Sequence, residues 1–156
     1  MINDCPFCNL DKERIIFENV YSYALLDIYP VTKGHTLVIP KRHLLSIDEI
    51  NQEEFINIFE TFIKVKRGLI KFLNPEGFNF GINLGDASGQ TIEHIHFHLI
   101  PRYKNDTLFI DGGIRKVTMD IININTLDLK SKWINNRLSN EEIRKLTEII
   151  NKEKNY

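Results

Sequence analysis

The chain has 156 residues, with 20 lysines and arginines against 21 aspartates and glutamates, and so a formal net charge of -1 at pH 7. Proteins that bind nucleic acid irrespective of its sequence carry a basic surface, so this balance argues against a nucleic-acid partner. Its 42% hydrophobic and 26% charged residues predict one folded domain rather than a disordered chain. The two cysteines are too few for a disulfide framework.

The N-terminus and the apolar runs bear on location. The first ten residues are polar and contain no basic stretch followed by an apolar one, so the sequence predicts no secretory signal. No apolar run approaches the roughly 18–20 residues that a membrane helix needs. We therefore expect a cytoplasmic protein without a membrane partner, in which the cysteines stay reduced.

The first half of the chain predicts three strands and a long helix. Residues 14–19, 22–28 and 35–39 are rich in β-branched and aromatic residues and are separated by turn signals. Apolar residues then recur at steps of three and four between positions 55 and 73, which indicates one amphipathic helix. Asn51 or Asp48 is its candidate N-cap.

The second half predicts two more strands and a terminal helix. Residues 78–84 and 91–100 have strand character and are joined by a loop of small residues. A capping box at Ser139 opens the last helix. The predicted fold is α+β: a single antiparallel sheet of about five strands, with the long helix packed on it and a C-terminal helix.

The segment from His94 to His98 alternates histidines with apolar residues. On a strand, its three histidines would share one face, about 6.6 Å apart, and the apolar side chains would pack toward the helix. A histidine face is suited to a metal or a ligand. The structural alternatives are a half-exposed polar strand and an adventitious metal-binding surface.

The loop before the histidines contains Asn83, Gly89, Gln90 and Thr91. Glycine permits close approach of the backbone to a ligand, and the Gln and Thr side chains supply neutral donors. Alone, this loop is equally consistent with a hairpin turn. Next to three imidazoles it indicates a phosphate-sized site opposite a nucleophile, because neutral imidazole can form a phosphoramidate.

This loop and the three histidines together resemble the histidine triad superfamily of nucleotide hydrolases and transferases. Asp27, ahead of the stretch from Gly34 to His43, also matches. The resemblance spans about residues 5–102 and looks closest to bacterial members associated with diadenosine polyphosphate hydrolysis. It implies a nucleotide-binding and catalytic domain at 1–115, with 116–156 as a C-terminal extension of the same domain that ends in a helix.

The resemblance also implies roles around a phosphate. His96 is the nucleophile that attacks the α-phosphorus of a nucleotide. His98 and His35 line the phosphate site, and Gln90 contacts the scissile bridge or the leaving group. Asn83 and Thr91, beside Gly89, hold phosphate oxygens.

Asp27 is the implied partner of the ribose hydroxyls, with an exposed turn aspartate as the alternative. Phe7, Leu25 and Ile28 are candidates to line a base pocket, with ordinary core packing as the alternative.

The Cys5-Pro-Phe-Cys8 motif is half of a tetrahedral zinc site. Its two further ligands must come from distant positions, for which His43 and His94 are the candidates. These four positions match the zinc-bearing branch of the superfamily. A closed shell of two cysteines and two histidines is structural, because it leaves no position for water. The alternative is two reduced, buried cysteines with His43 on the surface.

Three functions remain open at this point. The leading one is a hydrolase of dinucleoside polyphosphates or nucleoside phosphoramidates that forms a nucleotidyl-histidine. The second is a transferase in which phosphate or a sugar phosphate replaces water. The third is a zinc-stabilised nucleotide-binding module with little turnover. We expect structural Zn²⁺, with Mg²⁺ carried only by the substrate. The resemblance further implies a homodimer in which the long helix and an edge strand form the interface.

Overall fold

The structure, a computed structural model, describes residues 4–106, 113–114, 131 and 133–153 and contains one five-stranded antiparallel sheet. The strand order is β1-β2-β3-β5-β4, so β1 and β4 are the edges and β3 and β5 lie inside. The strands are β1 (Ile15–Glu18), β2 (Ser22–Leu26), β3 (Thr36–Pro40), β4 (Gly77–Ile82) and β5 (Phe97–Arg102). The predicted α+β fold is confirmed.

The long helix α1 (Gln52–Leu73) covers one face of the sheet. Of the two candidate caps, Asn51 is the one used. Its side chain accepts a hydrogen bond from the Glu54 amide, and the Glu54 side chain accepts one from the Asn51 amide. Asn74 ends the helix in the left-handed conformation, with φ 48°. Val65 and Leu69 are fully buried, and each such side chain contributes about 1.5–3 kcal/mol by leaving water.

The C-terminal helix (Asn140–Lys152) packs against α1 and β1. It begins at the predicted capping box, where Ser139 and Glu142 satisfy each other's backbone amides. The helices approach closely at Gly68, where an added Cβ would lie 2.2 Å from Ile150 Cγ1. Ile150 therefore shares the apolar core that α1 and the sheet enclose. Neither of these two helices is long and apolar enough to cross a membrane.

The predicted strand at 91–100 is wrong in its extent, because β5 begins only at Phe97. His94 and His96 precede the strand, and His98 alone among the three histidines lies on it. The ladder with β3 stops at Val38↔Phe97, two residues before Pro40, which has no amide to donate. The preceding chain instead bonds elsewhere, since the Ile95 amide donates to the Leu44 carbonyl at 2.8 Å.

Candidate active site

Four predicted metal ligands meet where the N-terminal segment lies against the chain after β3. The ligand atoms of Cys5, Cys8, His43 and His94 all lie within 4.8 Å of one another. His94 Nδ1 is 3.5 Å from Cys5 Sγ and 3.6 Å from Cys8 Sγ, and Cys8 Sγ is 3.3 Å from His43 Nδ1. In a regular tetrahedron, with Zn–S about 2.3 Å and Zn–N about 2.0 Å, a sulfur and a nitrogen ligand lie about 3.5 Å apart. The donor set therefore fits zinc in both chemistry and spacing.

The orientation of His94 is set by a backbone carbonyl. Its Nε2–H donates to the Pro40 carbonyl at 2.9 Å, so the lone pair is on Nδ1, on the side of the thiols. Burial is the main cause that lowers the pKa of His94, which favours the neutral ring that a metal requires. Burial, followed by the neighbouring Cys5 thiol, raises the pKa of Cys8. A divalent cation would reverse that cost by stabilising the thiolates.

His96 is held in one tautomer. Its Nδ1 lies 2.9 Å from the His94 carbonyl, which can only accept, so the proton is on Nδ1 and the lone pair is on Nε2. The ring is buried, and its centroid lies 5.0 Å from that of Phe7 and 5.1 Å from that of His98. These contacts orient the ring so that Nε2, and not Nδ1, is the candidate nucleophilic nitrogen. The same residue, His94, links the metal cluster to His96.

His35 and His98 form a pair beside His96. Their rings are joined by a hydrogen bond of 3.0 Å between His35 Nε2 and His98 Nδ1. Burial is the main cause that lowers the pKa of His98 to about 4, with His35 and His96 adding repulsion against its charged form. Within the described residues, the buried His98 Nε2 has no hydrogen-bond partner. Such an atom calls for a polar group from a ligand, and a phosphate oxygen would suit it.

Asp27 reaches this pair from the end of β2. Its side chain is 13% exposed, with Oδ2 3.4 Å from His35 Nδ1. Its Oδ1 accepts from the Tyr29 amide at 2.8 Å, so the residue also stabilises a turn. The structure thus brings together Asp27, His35, His96 and His98. Their roles toward a substrate stay predictions.

The loop that precedes the histidines is closed on itself. Gln90 Oε1 accepts from the Gly85 amide at 2.7 Å, and Gln90 Nε2 donates to the Ile92 carbonyl at 3.1 Å. Gly89 and Thr91 are exposed, and Asn83 is half-buried just beyond β4. No hydrogen bond within the described residues joins this loop to His96. These two bonds orient the Gln90 amide and leave one N–H of Nε2 and one lone pair of Oε1 for a leaving group.

The three candidates for a base pocket divide into two groups. Phe7 and Leu25 are buried in an apolar cluster with Cys5, beneath the metal ligands. Ile28 is 41% exposed beside Asp27, so it alone of the three has a substantial surface for a base. Phe7 and Leu25 thus have packing partners in the core, and their place in a base pocket stays a prediction.

The sequence analysis missed the backbone carbonyls that orient this site. Pro40 fixes the His94 ring, and the His94 carbonyl fixes the His96 ring. Pro40 could be seen in the sequence as a strand end, but nothing there signalled that its carbonyl accepts from His94.

Known proteins are similar to this chain in sequence and in fold. The HIT domain profile matches residues 10–105. An uncharacterized HIT-like protein of Methanocaldococcus jannaschii is 36% identical over 121 residues, covering 74% of this chain and 93% of the relative. A bis(5'-adenosyl)-triphosphatase of Dictyostelium discoideum is 36% identical over 95 residues, covering 61% and 64% respectively. The structure of a zinc-bound histidine triad family protein from Mycobacterium smegmatis gives a TM-score of 0.63 at 28% identity, covering 86% and 96%. The resemblance seen in the sequence is confirmed, and the chain belongs to the HIT domain family.

Proposed function

We propose that the chain is a nucleotide hydrolase that forms a nucleotidyl-histidine on His96 and acts on dinucleoside polyphosphates or nucleoside phosphoramidates. The observation that carries this proposal is the orientation of the His96 ring. Its Nδ1–H donates to the His94 carbonyl, so its Nε2 keeps the lone pair. The name of the Dictyostelium relative supports a nucleoside polyphosphate as substrate.

The reaction would proceed in two steps at one phosphorus. His96 Nε2 attacks the α-phosphorus and forms a P–N bond, while the bond to the leaving group breaks and that group takes up a proton. Water then attacks the same phosphorus, the P–N bond breaks, and a nucleoside monophosphate leaves as water's extra proton is released. Catalysis rests on positioning and on neutral donors near the developing phosphate charge.

The neighbours of His96 have corresponding roles in this proposal. His98 and His35 line the phosphate site, where the unpartnered His98 Nε2 would contact a phosphoryl oxygen. Asp27 accepts from the ribose hydroxyls, with Ile28 beside the base. Gln90, Asn83, Gly89 and Thr91 form the loop that follows the phosphates. A polyphosphate would arrive as its Mg²⁺ complex.

The cluster of Cys5, Cys8, His43 and His94 would hold a structural zinc ion. Protein ligands would fill all four coordination positions of the ion, so the ion would supply rigidity rather than a bound water. His94 would then be fixed by the ion at Nδ1 and by the Pro40 carbonyl at Nε2, and its own carbonyl orients His96. A reducing compartment keeps such cysteines available as thiolates, which accords with a cytoplasmic enzyme.

A substrate panel in ¹⁸O-labelled water tests the proposed reaction. Diadenosine polyphosphates, adenosine phosphoramidate and sugar nucleotides would be incubated with the protein, with and without orthophosphate, and the products identified by mass. We expect AMP that carries one labelled oxygen. ADP formed from added phosphate would show the transferase, and nucleotide binding without any product would show a binding module. Either result would contradict hydrolysis.

We also propose that the chain forms a homodimer through an aromatic patch of four residues on α1 and the edge strand β4. Phe55 is 53% exposed, Phe59 48% and Phe80 39%, which is unusual for large apolar side chains. Their rings form a row: Phe55 stacks on Phe59, Phe59 on Phe62, and Phe62 meets Phe80 edge to face at 4.4 Å. A second copy would cover these rings and pair with β4, which is an edge strand of the sheet among the described residues.

Phe59→Glu should weaken this dimer by at least roughly 100-fold, because it places an unpaired carboxylate at the centre of an apolar interface. Sedimentation velocity over a range of concentrations measures the effect. Val20→Glu is the control, since Val20 is 77% exposed in the turn after β1, at the opposite edge of the sheet. A wild-type chain that sediments as a monomer at high concentration would refute the dimer.

A further inference from the structure

The loop between β2 and β3 carries Asp27 and has few backbone partners of its own. Among the described residues, its internal backbone bonds run from the Asp27 amide to the His35 carbonyl and from the His35 amide to the Thr32 carbonyl. Carbonyls that lack partners in a sheet or helix need donors from elsewhere. Here most of the donors are side chains from the N- and C-terminal parts of the chain, and the Tyr103 hydroxyl donates to the Lys33 carbonyl.

Two guanidinium groups hold the carbonyls on either side of Asp27. Arg14 Nη2 donates to the Leu26 carbonyl at 3.0 Å. Arg137 donates twice to the Ile28 carbonyl, from Nη2 at 2.8 Å and from Nε at 3.2 Å. Burial lowers the pKa of Arg14, while the Asp27 carboxylate opposes that shift and Arg137 adds to it. The two arginines and the carboxylate are therefore close enough to act on one another.

The segment 133–137 also contacts the residues of this loop that follow Ile28. Asn136 Nδ2 donates to the Val31 carbonyl at 2.9 Å and to the Pro30 carbonyl at 3.2 Å. The ring of Trp133 meets that of Tyr29 edge to face, with centroids 4.9 Å apart. Segment 133–137 thus contacts the loop at four consecutive residues, Ile28 to Val31.

We infer that Asn136 and Arg137 are positioning residues for the ribose end of a bound nucleotide, because they hold the Asp27 loop in the shape that presents its carboxylate. This rests on the proposed function, in which Asp27 accepts from the ribose hydroxyls. A loop held before binding costs less conformational entropy when the ligand arrives. The segment 133–137 thereby becomes part of the nucleoside site without touching the nucleotide.

Calorimetric titration with AMP and with 2'-deoxy-AMP tests this role, because the ratio of the two dissociation constants reports the ribose contact. We expect wild type to prefer AMP by roughly tenfold, the value of one hydrogen bond to a charged group. Arg137→Met should reduce this preference to about twofold. Lys145→Met is the matched control: it also removes one cation, and its partner Glu141 is an exposed residue of the C-terminal helix.

A double-mutant cycle shows whether Arg137 acts through Asp27. In an Asp27→Asn background, Arg137→Met should have no further effect on the AMP preference, whereas additive losses would overturn the inference. An unchanged preference in Arg137→Met alone would also overturn it. Failure of wild type to bind AMP would instead refute the proposed function. Trp133, the single tryptophan of the chain, reports a displaced segment independently, through a red-shifted emission in Arg137→Met.

Discussion

Replacing His96 with glycine should lower turnover of the best substrate by roughly 10⁴-fold or more, as expected when a covalent nucleophile is removed. The reason lies in the geometry: His96 Nε2 has a free lone pair, because the ring proton is on Nδ1 and is donated to the His94 carbonyl. Rapid-quench kinetics gives the rate, and intact-mass measurement of the quenched wild-type enzyme should show a gain of one nucleotidyl group. The glycine variant should show no such gain.

Two controls separate a lost nucleophile from a lost fold. His96→Asn fills more of the space and keeps a donor for the His94 carbonyl, yet it supplies no nucleophile, so its activity should be equally low. Free imidazole added to His96→Gly should restore part of the turnover, since the missing ring leaves a cavity beside Phe7 and His98. Wild-type turnover in both variants would rule out the covalent mechanism.

Periodicity and turn residues were sufficient to predict the architecture. The apolar stripe of α1, its Asn51 cap and the capping box at Ser139 are local features, in which the residues that define an element are neighbours in the chain. The meeting of Cys5 and Cys8 with His43 and His94 was predicted on other grounds: a half-complete zinc site requires two more ligands, and the resemblance to zinc-bearing family members indicated these two histidines.

The extent of the histidine strand was mispredicted because alternation does not by itself make a strand. Histidines alternate with apolar residues from His94 to Phe97, but all four side chains are buried and pairing to β3 stops short of Pro40. Backbone carbonyls then determine the local structure. The Leu44 carbonyl accepts a hydrogen bond from the Ile95 amide, and the Pro40 carbonyl accepts one from the His94 ring. Carbonyls are present at every residue, so the sequence does not reveal which of them orient side chains.

The same limit applies to the loop that presents Asp27. Arg137 was not a candidate in the sequence, because an arginine more than one hundred positions away has no pattern that links it to the Ile28 carbonyl. Gln90 shows the converse case: its place in the motif suggested a ligand contact, whereas both ends of its amide are used within its own loop. The sequence therefore shows which chemical groups a side chain offers, but it does not show which partner those groups bind.

Removing zinc should lower the free energy of unfolding by about 3 kcal/mol or more, comparable with the loss of a native disulfide. For a chain of this size, that corresponds to a fall in the unfolding midpoint of about 6–12 °C. Cys8→Ser tests the expectation, because Cys8 Sγ lies within 3.6 Å of both His43 Nδ1 and His94 Nδ1. Elemental analysis should find about one zinc ion per wild-type chain and almost none in the variant.

The ligand set can be checked at His43. Of the two histidines in the cluster, His43 is farther along the chain from His96, the proposed nucleophile, than His94 is. His43→Ala should lose zinc, whereas His43→Cys should retain it, since three cysteines and one histidine also form a structural zinc shell. Zinc loss should also lower turnover, because His94 then keeps only the Pro40 contact that orients its ring, and its carbonyl positions His96 less firmly. A wild-type protein that is fully folded without zinc, or a His43→Ala variant that keeps both zinc and the wild-type midpoint, would show that these four residues do not form the predicted site.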